Sequence, residues 1–201
     1  MKFIATPLDG AFVIEPELRE DERGFFARSW CRDEFAAHGI ETALAQCNIS
    51  FNRRRGTLRG LHFQLEPHGE AKLVRCTQGG AFDVIVDLRP GSNSFGRWFS
   101  AHLTAGNRRM VYAPAGFAHG FQALADETEL FYQMSAPYHA ASARGIRWND
   151  PELGIPWPLR ETIISPRDRT LPTLAELELL EKAGVGARSR APMAAETAPC
   201  P

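Results

Sequence analysis

Short segments in which apolar and polar residues alternate fill the middle of the chain, from residue 56 to 135. In FDVIVDL (82–88) every second position is apolar, which is the period of a β-strand. The other segments are AKLVRCTQ (71–78), GRWFSAHLT (96–104), RMVYAP (109–114), GFAHGFQAL (116–124) and ELFYQMS (129–135). Each is bounded by turn residues, and the pair Gly79-Gly80 predicts a turn between two strands. Spacings near ten residues predict an all-β sandwich, barrel or jelly roll.

Helical patterns are confined to two places. CRDEFAAHG (31–39) predicts one short helix, and residues 172–184 predict a second that ends at Gly184. Beyond it, residues 186–201 are rich in Ala and Pro, which predicts a disordered tail. The chain is therefore predicted as one domain over residues 1–185, with short peripheral helices.

Composition narrows the class of protein. The hydrophobic fraction of 44% is enough for a core, and the net charge of −1 gives no global field that would attract nucleic acid or an anionic membrane. No apolar run reaches the 18 residues of a membrane-spanning helix, and the N-terminus lacks the apolar core of a signal peptide. The four cysteines form no CxxC pair, so we expect free thiols and a cytoplasmic location. From the net charge and the short apolar runs we expect no nucleic-acid or membrane partner.

Four ionisable residues lie in strand-like segments or between glycines: His62, Lys72, His119 and Tyr132. Taken singly, a strand histidine or tyrosine is more often structural than catalytic. Lys72 is harder to explain by packing, because the chain has only three lysines and a lysine within a packed strand must snorkel, form an ion pair or serve as a desolvated cation.

Two chemistries compete for these residues. A transition-metal site in a β-barrel would use histidines with a carboxylate, but Gln64 stands where a second histidine would follow His62, and Lys72 would bring a positive charge toward the cation. Proton abstraction beside a carbonyl requires a base with a pKa near neutrality, which histidine supplies, and a positive charge for the enolate oxygen. His62, Lys72 and an acid such as Tyr132 fit the second chemistry better.

Seven motifs together give the chain a specific resemblance. They are DERGFF (21–26), RGLHFQ (59–64), KLVRC (72–76), FDVIVDLR (82–89), FGRW (95–98), PAGFAHGF (114–121) and WNDPELGIPWP (148–158). From about residue 1 to 175 the chain resembles the dTDP-4-dehydrorhamnose 3,5-epimerase family. The resemblance implies a cupin jelly roll, a homodimer with strand exchange, no metal or other cofactor, and a nucleotide-linked 4-keto-6-deoxyhexose as substrate.

The resemblance also implies roles for individual residues. His62 would remove the proton beside the C4 ketone, Asp168 would orient His62, Tyr132 would be the acid, and Lys72 would stabilise the enolate. The residues implied in substrate binding are Arg23, Gln46, Asn48, Arg59, His119 and Arg167. The chain departs from the family pattern at Arg28, Cys47, Ala143 and Arg167, all expected near the substrate.

The predicted reaction is epimerisation at C3, C5 or both, most simply from dTDP-4-dehydro-6-deoxy-D-glucose to dTDP-4-dehydro-L-rhamnose. Epimerisation at a single carbon, or with another nucleotide, remains open because the four departures are expected where the substrate binds. A metal-dependent cupin and a non-catalytic cupin that binds sugar nucleotides are the two alternatives from other classes.

Overall fold

A computed structural model describes residues 1–160 and 162–182 of the chain. Within this part the strands are β1 (Lys2–Ala5), β2 (Phe12–Glu15), β3 (Arg19–Asp21), β4 (Gly24–Phe26), β5 (Gln46–Asn52), β6 (Thr57–Gln64), β7 (Lys72–Gln78), β8 (Gly80–Asp87), β9 (Trp98–Thr104), β10 (Met110–Ala113), β11 (Phe117–Ala123), β12 (Thr128–Met134), β13 (Ala143–Gly145) and β14 (Ile163–Ile164). The helices are α1 (Arg32–Ala37), α2 (Pro166–Arg169) and α3 (Leu174–Lys182).

Two large sheets form the body of the molecule. The first sheet has the strand order β1-β2-β10-β7-β12-β5, and the second has the order β13-β6-β11-β8-β9, with β14 also paired to β6. β14 runs parallel to β6, and the other pairs are antiparallel. β3 and β4 form a separate two-stranded hairpin. This arrangement is a double-sheet jelly roll, one of the three architectures that the strand pattern predicts and the one that the resemblance implies.

An apolar core lies between the two sheets. Val74 and Leu130 of the first sheet belong to the same buried cluster as Ile85, Phe117 and Phe121 of the second. The strong burial of these side chains reflects the hydrophobic driving force for closing one sheet over the other.

Both faces of β8 are buried, so its alternating sequence does not mean that one face is exposed. Phe82, Val84 and Val86 pack beneath the C-terminal segment that includes α3, whereas Ile85 faces the core between the sheets. Asp83 and Asp87, on the same face as Ile85, are buried as well. A period of two therefore locates the strand correctly but does not show where its carboxylates point.

The predicted strands between residues 56 and 135 are confirmed, and so is the short helix within residues 31–39. The predicted Gly79 turn is present, with a φ of 72° at Gly79, but β7 and β8 belong to different sheets. The turn carries the chain from one sheet to the other and does not make a hairpin. The C-terminal helix is present to Lys182, whereas its predicted end at Gly184 and the predicted tail, residues 186–201, lie outside the described residues.

Within the described ranges, no helix is long and apolar enough to cross a membrane.

Candidate active site

A cavity of about 300 Å³ opens between the two sheets. Strands β5, β7 and β12 of the first sheet and β6 and β11 of the second contribute to its wall. Seven of the ten predicted site residues line it: Asn48, Arg59, His62, Lys72, His119, Tyr132 and Arg167. A cavity of this size with a few convergent polar groups is typical of a small-molecule site.

His62 is held by a buried carboxylate behind it. Its neighbours Leu61 and Phe63 are buried in the core on the other face of β6, so strand alternation turns His62 toward the cavity. His62 Nε2 lies 2.8 Å from Asp168 Oδ1, and the Gly60 N–H donates to Asp168 Oδ2 at 3.3 Å. The predicted pairing of Asp168 with His62 is therefore present in the structure.

The carboxylate of Asp168 is stabilised as an anion. Burial raises the pKa of Asp168, but the hydrogen bonds from His62 and the Gly60 N–H outweigh that effect, and the pKa is lowered from its ordinary value. Asp168 lies in α2, whose first turn is capped by Ser165: the Asp168 N–H donates to Ser165 Oγ at 3.0 Å. The short helix thereby fixes where the carboxylate meets the imidazole.

A second histidine–carboxylate pair lies beside the first. His119 and His62 are register partners on β11 and β6, and His119 Nε2 lies 2.7 Å from Asp83 Oδ2 of β8. Both members of this pair are buried. Sequence reasoning did not identify Asp83, because the alternation in residues 82–88 gives no indication that its carboxylate faces inward.

Tyr132 reaches the cavity from the other sheet. It lies on β12, and its ring packs nearly perpendicular to the His119 imidazole, with the ring centroids 5.6 Å apart. Burial and the negative charge of Asp83 raise the pKa of Tyr132 well above its ordinary value. The phenol therefore keeps its proton at neutral pH and is able to donate it.

Lys72 is buried at the start of β7, where its Nζ donates a hydrogen bond to Glu70 Oε1. Burial lowers the pKa of Lys72, and the charge of Glu70 opposes that shift. Glu70, also buried and lining the cavity, was missed by sequence reasoning. Its spacing of two residues from Lys72 was the available signal, since residues i and i+2 on an extended chain share a face.

The three remaining predicted residues lie outside the cavity wall. Asp168 stands behind His62, as described. Gln46, on β5, accepts a hydrogen bond from the N–H of Tyr138, which itself lines the cavity. Arg23 lies on the exposed turn between β3 and β4, where it pairs with Asp21 at 2.5 Å, so the chain does not bring it to its own cavity.

Of the four positions that depart from the family pattern, Ala143 and Arg167 line the cavity. Cys47 is exposed on β5. Arg28 is outside the cavity wall and forms an ion pair with Glu34, with 2.6 Å between the two charged groups. Within one chain the cavity wall thus includes two of the four positions, and the expected placement of all four near the substrate stays a prediction.

The positions of the potential metal ligands bear on the metal-dependent alternative. Over residues 1–160 and 162–182, no three His, Cys, Asp or Glu side chains are grouped so that they could hold a metal ion. The two cavity histidines each bind a separate carboxylate. The expectation that the protein uses no metal stays a prediction.

Over most of its length the chain is similar in sequence to proteins of one known family. A family model described as dTDP-4-dehydrorhamnose 3,5-epimerase matches residues 5–176. The chain is 47% identical to the dTDP-4-dehydrorhamnose 3,5-epimerase of Methanothermobacter thermautotrophicus, covering 87% of this chain and 95% of that one. It is 44% identical to the dTDP-4-dehydrorhamnose 3-epimerase of Streptomyces niveus, covering 88% and 85%.

Solved structures agree with the sequence relatives. The dTDP-4-dehydrorhamnose 3,5-epimerase of Bacillus anthracis, solved with TDP and PPi bound, matches with a TM-score of 0.83 and 42% identity over 86% of this chain and 99% of that one. The likeness to such structures confirms the predicted cupin jelly roll. The fold, the matching family model and relatives with more than 40% identity together show that the chain belongs to the dTDP-4-dehydrorhamnose 3,5-epimerase family.

Proposed function

We propose that the protein converts dTDP-4-dehydro-6-deoxy-D-glucose to dTDP-4-dehydro-L-rhamnose by epimerisation at C3 and C5, with His62 as base and Tyr132 as acid. The family relationship gives the reaction class, epimerisation of a dTDP-linked 4-keto-6-deoxyhexose. The observation that carries the assignment of residues is the 2.8 Å contact of His62, on one sheet, with Asp168 of α2, while Tyr132 lines the same cavity from the other sheet.

The first step is proton abstraction. Neutral His62 takes the proton from the carbon beside the C4 ketone, and the electrons of the broken C–H bond move to the ketone oxygen, giving an enolate. Asp168 holds one ring nitrogen of His62, so the other is presented to the substrate and the imidazolium that forms has a counter-charge.

The enolate needs a positive charge beside its oxygen. Lys72 supplies it: the ammonium group has three N–H donors, and its bond to Glu70 uses one of them. A charge of this kind is worth more in a low-dielectric site than in water.

Inversion follows from the position of the acid. Tyr132 donates its proton to the face of the enolate carbon opposite His62, and the ketone is restored. The phenolate then takes a proton from solvent and the His62 imidazolium gives its proton to solvent, so both groups return to their starting states. Repetition at the second carbon beside the ketone completes the 3,5-epimerisation. The alternative, epimerisation at one carbon, is the reaction named for the Streptomyces niveus relative.

The charged rim of the cavity suits the rest of the substrate. Arg59 and Arg167 line the cavity and are exposed, so their guanidinium groups can each bind two oxygens of a diphosphate. Arg59 already donates to Asn52 Oδ1 at 2.9 Å, which restricts its side chain. Asn48, Gln46 and His119 complete the proposed binding set, with His119 next to the sugar.

A homodimer fits the exposed apolar surface. Phe25 and Phe26 of β4 and Ile49 and Phe51 of β5 are large and exposed, and β5 is an edge strand of the first sheet. Exposed apolar side chains beside a free sheet edge are typical of an interface. Strand exchange would also let Arg23 bind nucleotide in the partner subunit's cavity, since it does not reach its own.

A cytoplasmic location is part of the same proposal. Cys31, Cys47 and Cys76 are unpaired, as expected in a reducing compartment.

The test is NMR of the keto sugar in heavy water. The native protein should place deuterium at both C3 and C5 with inversion, and deuterium at one carbon would establish a single-carbon epimerase. His62→Ala should abolish deuterium uptake while dTDP still binds. Tyr132→Phe should retain uptake but return mostly un-inverted sugar, because His62 restores the proton to the face from which it came.

Lys72→Ala should suppress both uptake and inversion, because the enolate would form without a counter-charge. Normal exchange by His62→Ala, or full inversion by Tyr132→Phe, would show that the assignment is wrong. No exchange by the native protein would favour a non-catalytic cupin that binds sugar nucleotides. Loss of exchange on metal chelation would favour a metal-dependent cupin.

A further inference from the structure

Glu70 and Lys72 form a buried ion pair at the wall of the cavity. Their side chains are 4% and 7% exposed, and Lys72 Nζ donates to Glu70 Oε1. The pair lies where the loop after β6 enters β7, and both residues line the cavity. Nothing in the proposed reaction so far requires this carboxylate.

The surroundings offer Lys72 no second partner of opposite charge. Its register neighbours are Ala113 on β10 and Met134 on β12, both uncharged. The other titratable or charged residues that line the cavity are Arg59, His62, His119, Tyr132, Tyr138, Arg144 and Arg167. Within residues 1–160 and 162–182, Glu70 is the one carboxylate within ion-pair distance of Nζ.

The Glu70 carboxylate likewise depends on Lys72 for its charge compensation. Oε2 of Glu70 is buried and accepts no hydrogen bond from the described residues, so its compensation for burial comes from Lys72 through Oε1. Two charges that are costly to bury singly are thus tolerable together. Burial lowers the pKa of Lys72 and Glu70 opposes it, so neutralising Glu70 would favour the neutral amine.

We propose that Glu70 is a positioning residue that keeps Lys72 protonated and fixed at the cavity wall, and that it thereby sets the alkaline limit of turnover. The proposal rests on the proposed role of Lys72 as the cation that meets the enolate. Its direct test does not depend on that role, because the protonation state of Lys72 is measurable without substrate.

The scarcity of lysine makes the measurement simple. The chain contains Lys2, Lys72 and Lys182, so protein labelled with ¹³C at lysine Cε gives three signals. Lys72→Arg identifies the Lys72 signal by its loss. In Glu70→Gln we expect the Lys72 signal to titrate at lower pH than in the native protein, with the Lys2 and Lys182 signals unchanged. Glu66→Gln, which removes an exposed carboxylate from the same loop, should leave all three unchanged.

The activity measurement is the rate of deuterium uptake as a function of pH. Relative to the native protein, Glu70→Gln should lose rate on the order of tenfold at alkaline pH, since without the Glu70 charge the ammonium form of Lys72 is lost at lower pH. Glu70→Asp, which keeps the charge, should restore most of the alkaline rate. If Glu70→Gln does not fold, Glu70→Asp should still displace the Lys72 titration downward by a smaller amount.

The outcomes separate the two proposals. An unchanged Lys72 titration in a folded Glu70→Gln protein, or in Glu70→Asp where Glu70→Gln does not fold, overturns the role of Glu70. If the titration moves but Lys72→Ala exchanges protons normally, the role of Glu70 in the charge of Lys72 stands and the catalytic role of Lys72 fails.

Discussion

His62 and His119 face each other across adjacent strands of one sheet, yet each binds its own buried carboxylate. The side chain of His62 is 41% exposed, while that of His119 is 4% exposed. His62 is therefore the more accessible of the two imidazoles, whereas His119 is enclosed and pairs with Asp83 beside Tyr132.

Loss of the carboxylate behind the base should slow turnover without unfolding the protein. In Asp168→Asn the imidazolium of His62 would form without its counter-charge, so we expect the catalytic rate to fall about ten- to a hundredfold. The rate of deuterium uptake at saturating substrate measures this, and circular dichroism reports the fold. Ser165→Ala is the control, because it removes the cap of α2 and leaves the carboxylate in place. An equal loss in Ser165→Ala would mean that Asp168 acts only through the helix.

Removal of the second carboxylate should make Tyr132 more acidic. Burial is the largest cause of the raised pKa of Tyr132, and the negative charge of Asp83 raises it further. Asp83→Asn should therefore lower that pKa. Phenolate absorbance against pH measures the change, with Tyr132→Phe used to assign it. Asp87→Asn, the same change on the same strand, should leave the Tyr132 titration where it is. An unmoved titration in Asp83→Asn would contradict the electrostatic coupling.

The close approach of β6 and β11 should not tolerate a side chain at Gly60. The φ of Gly60 is 128°, and a Cβ there would lie 2.5 Å from the Gly120 Cα and 3.0 Å from the His119 carbonyl oxygen. Gly60→Ala should therefore lower the free energy of unfolding by about 2 kcal/mol or more. Gly24, with a φ of 125° and no atom within 4 Å of the added Cβ, is the matched control, because Gly24→Ala carries the backbone strain alone. Equal losses of unfolding free energy in the two variants would rule out the clash.

Asp87 should contribute stability that disappears in acid. Burial raises its pKa, but hydrogen bonds from Arg89, Ser92 and Ser94 outweigh that effect and lower the pKa from 3.8 to about 2. The folded-state pKa is depressed, so the contribution, about 2 kcal/mol, is complete above about pH 4 and is lost as the pH falls toward about 2. Urea unfolding at several pH values should show a steeper acid decline for the native protein than for Asp87→Asn. Parallel declines would contradict this.

Local pattern was enough to find the strands between residues 56 and 135 and the helices α1 and α3, but not the remaining strands, the short helix α2 or the pairing of the strands. The Gly79-Gly80 turn is correct, yet a turn between two strands is compatible with a hairpin or with a crossing between sheets, and long-range packing of the core decides between them. In the same way, alternation located β8 but could not show that Asp83 faces inward, because both faces of that strand are covered.

The site was predictable where residue type and motif coincide. His62, Lys72, His119 and Tyr132 were singled out by their residue types in strand-like segments, and the structure brings all four to one cavity. The assignment of Asp168 needed the resemblance, because it is more than a hundred residues from His62 in the chain. The predicted role of Arg23 has no counterpart within one chain, since Arg23 pairs with Asp21 and is not part of the cavity wall.

His62 and Tyr132 are carried by different sheets, and this has a consequence for stereochemistry. With the base and the acid assigned as proposed, the distance between proton removal and proton return depends on the spacing of the two sheets, and side chains such as Val74, Ile85, Phe121 and Leu130 fill the core between them. The configuration of the product thus depends on the packing of the core between the sheets. Smaller side chains at these core positions are expected to change the separation of His62 and Tyr132, so that the sugar exchanges its proton with solvent without being inverted.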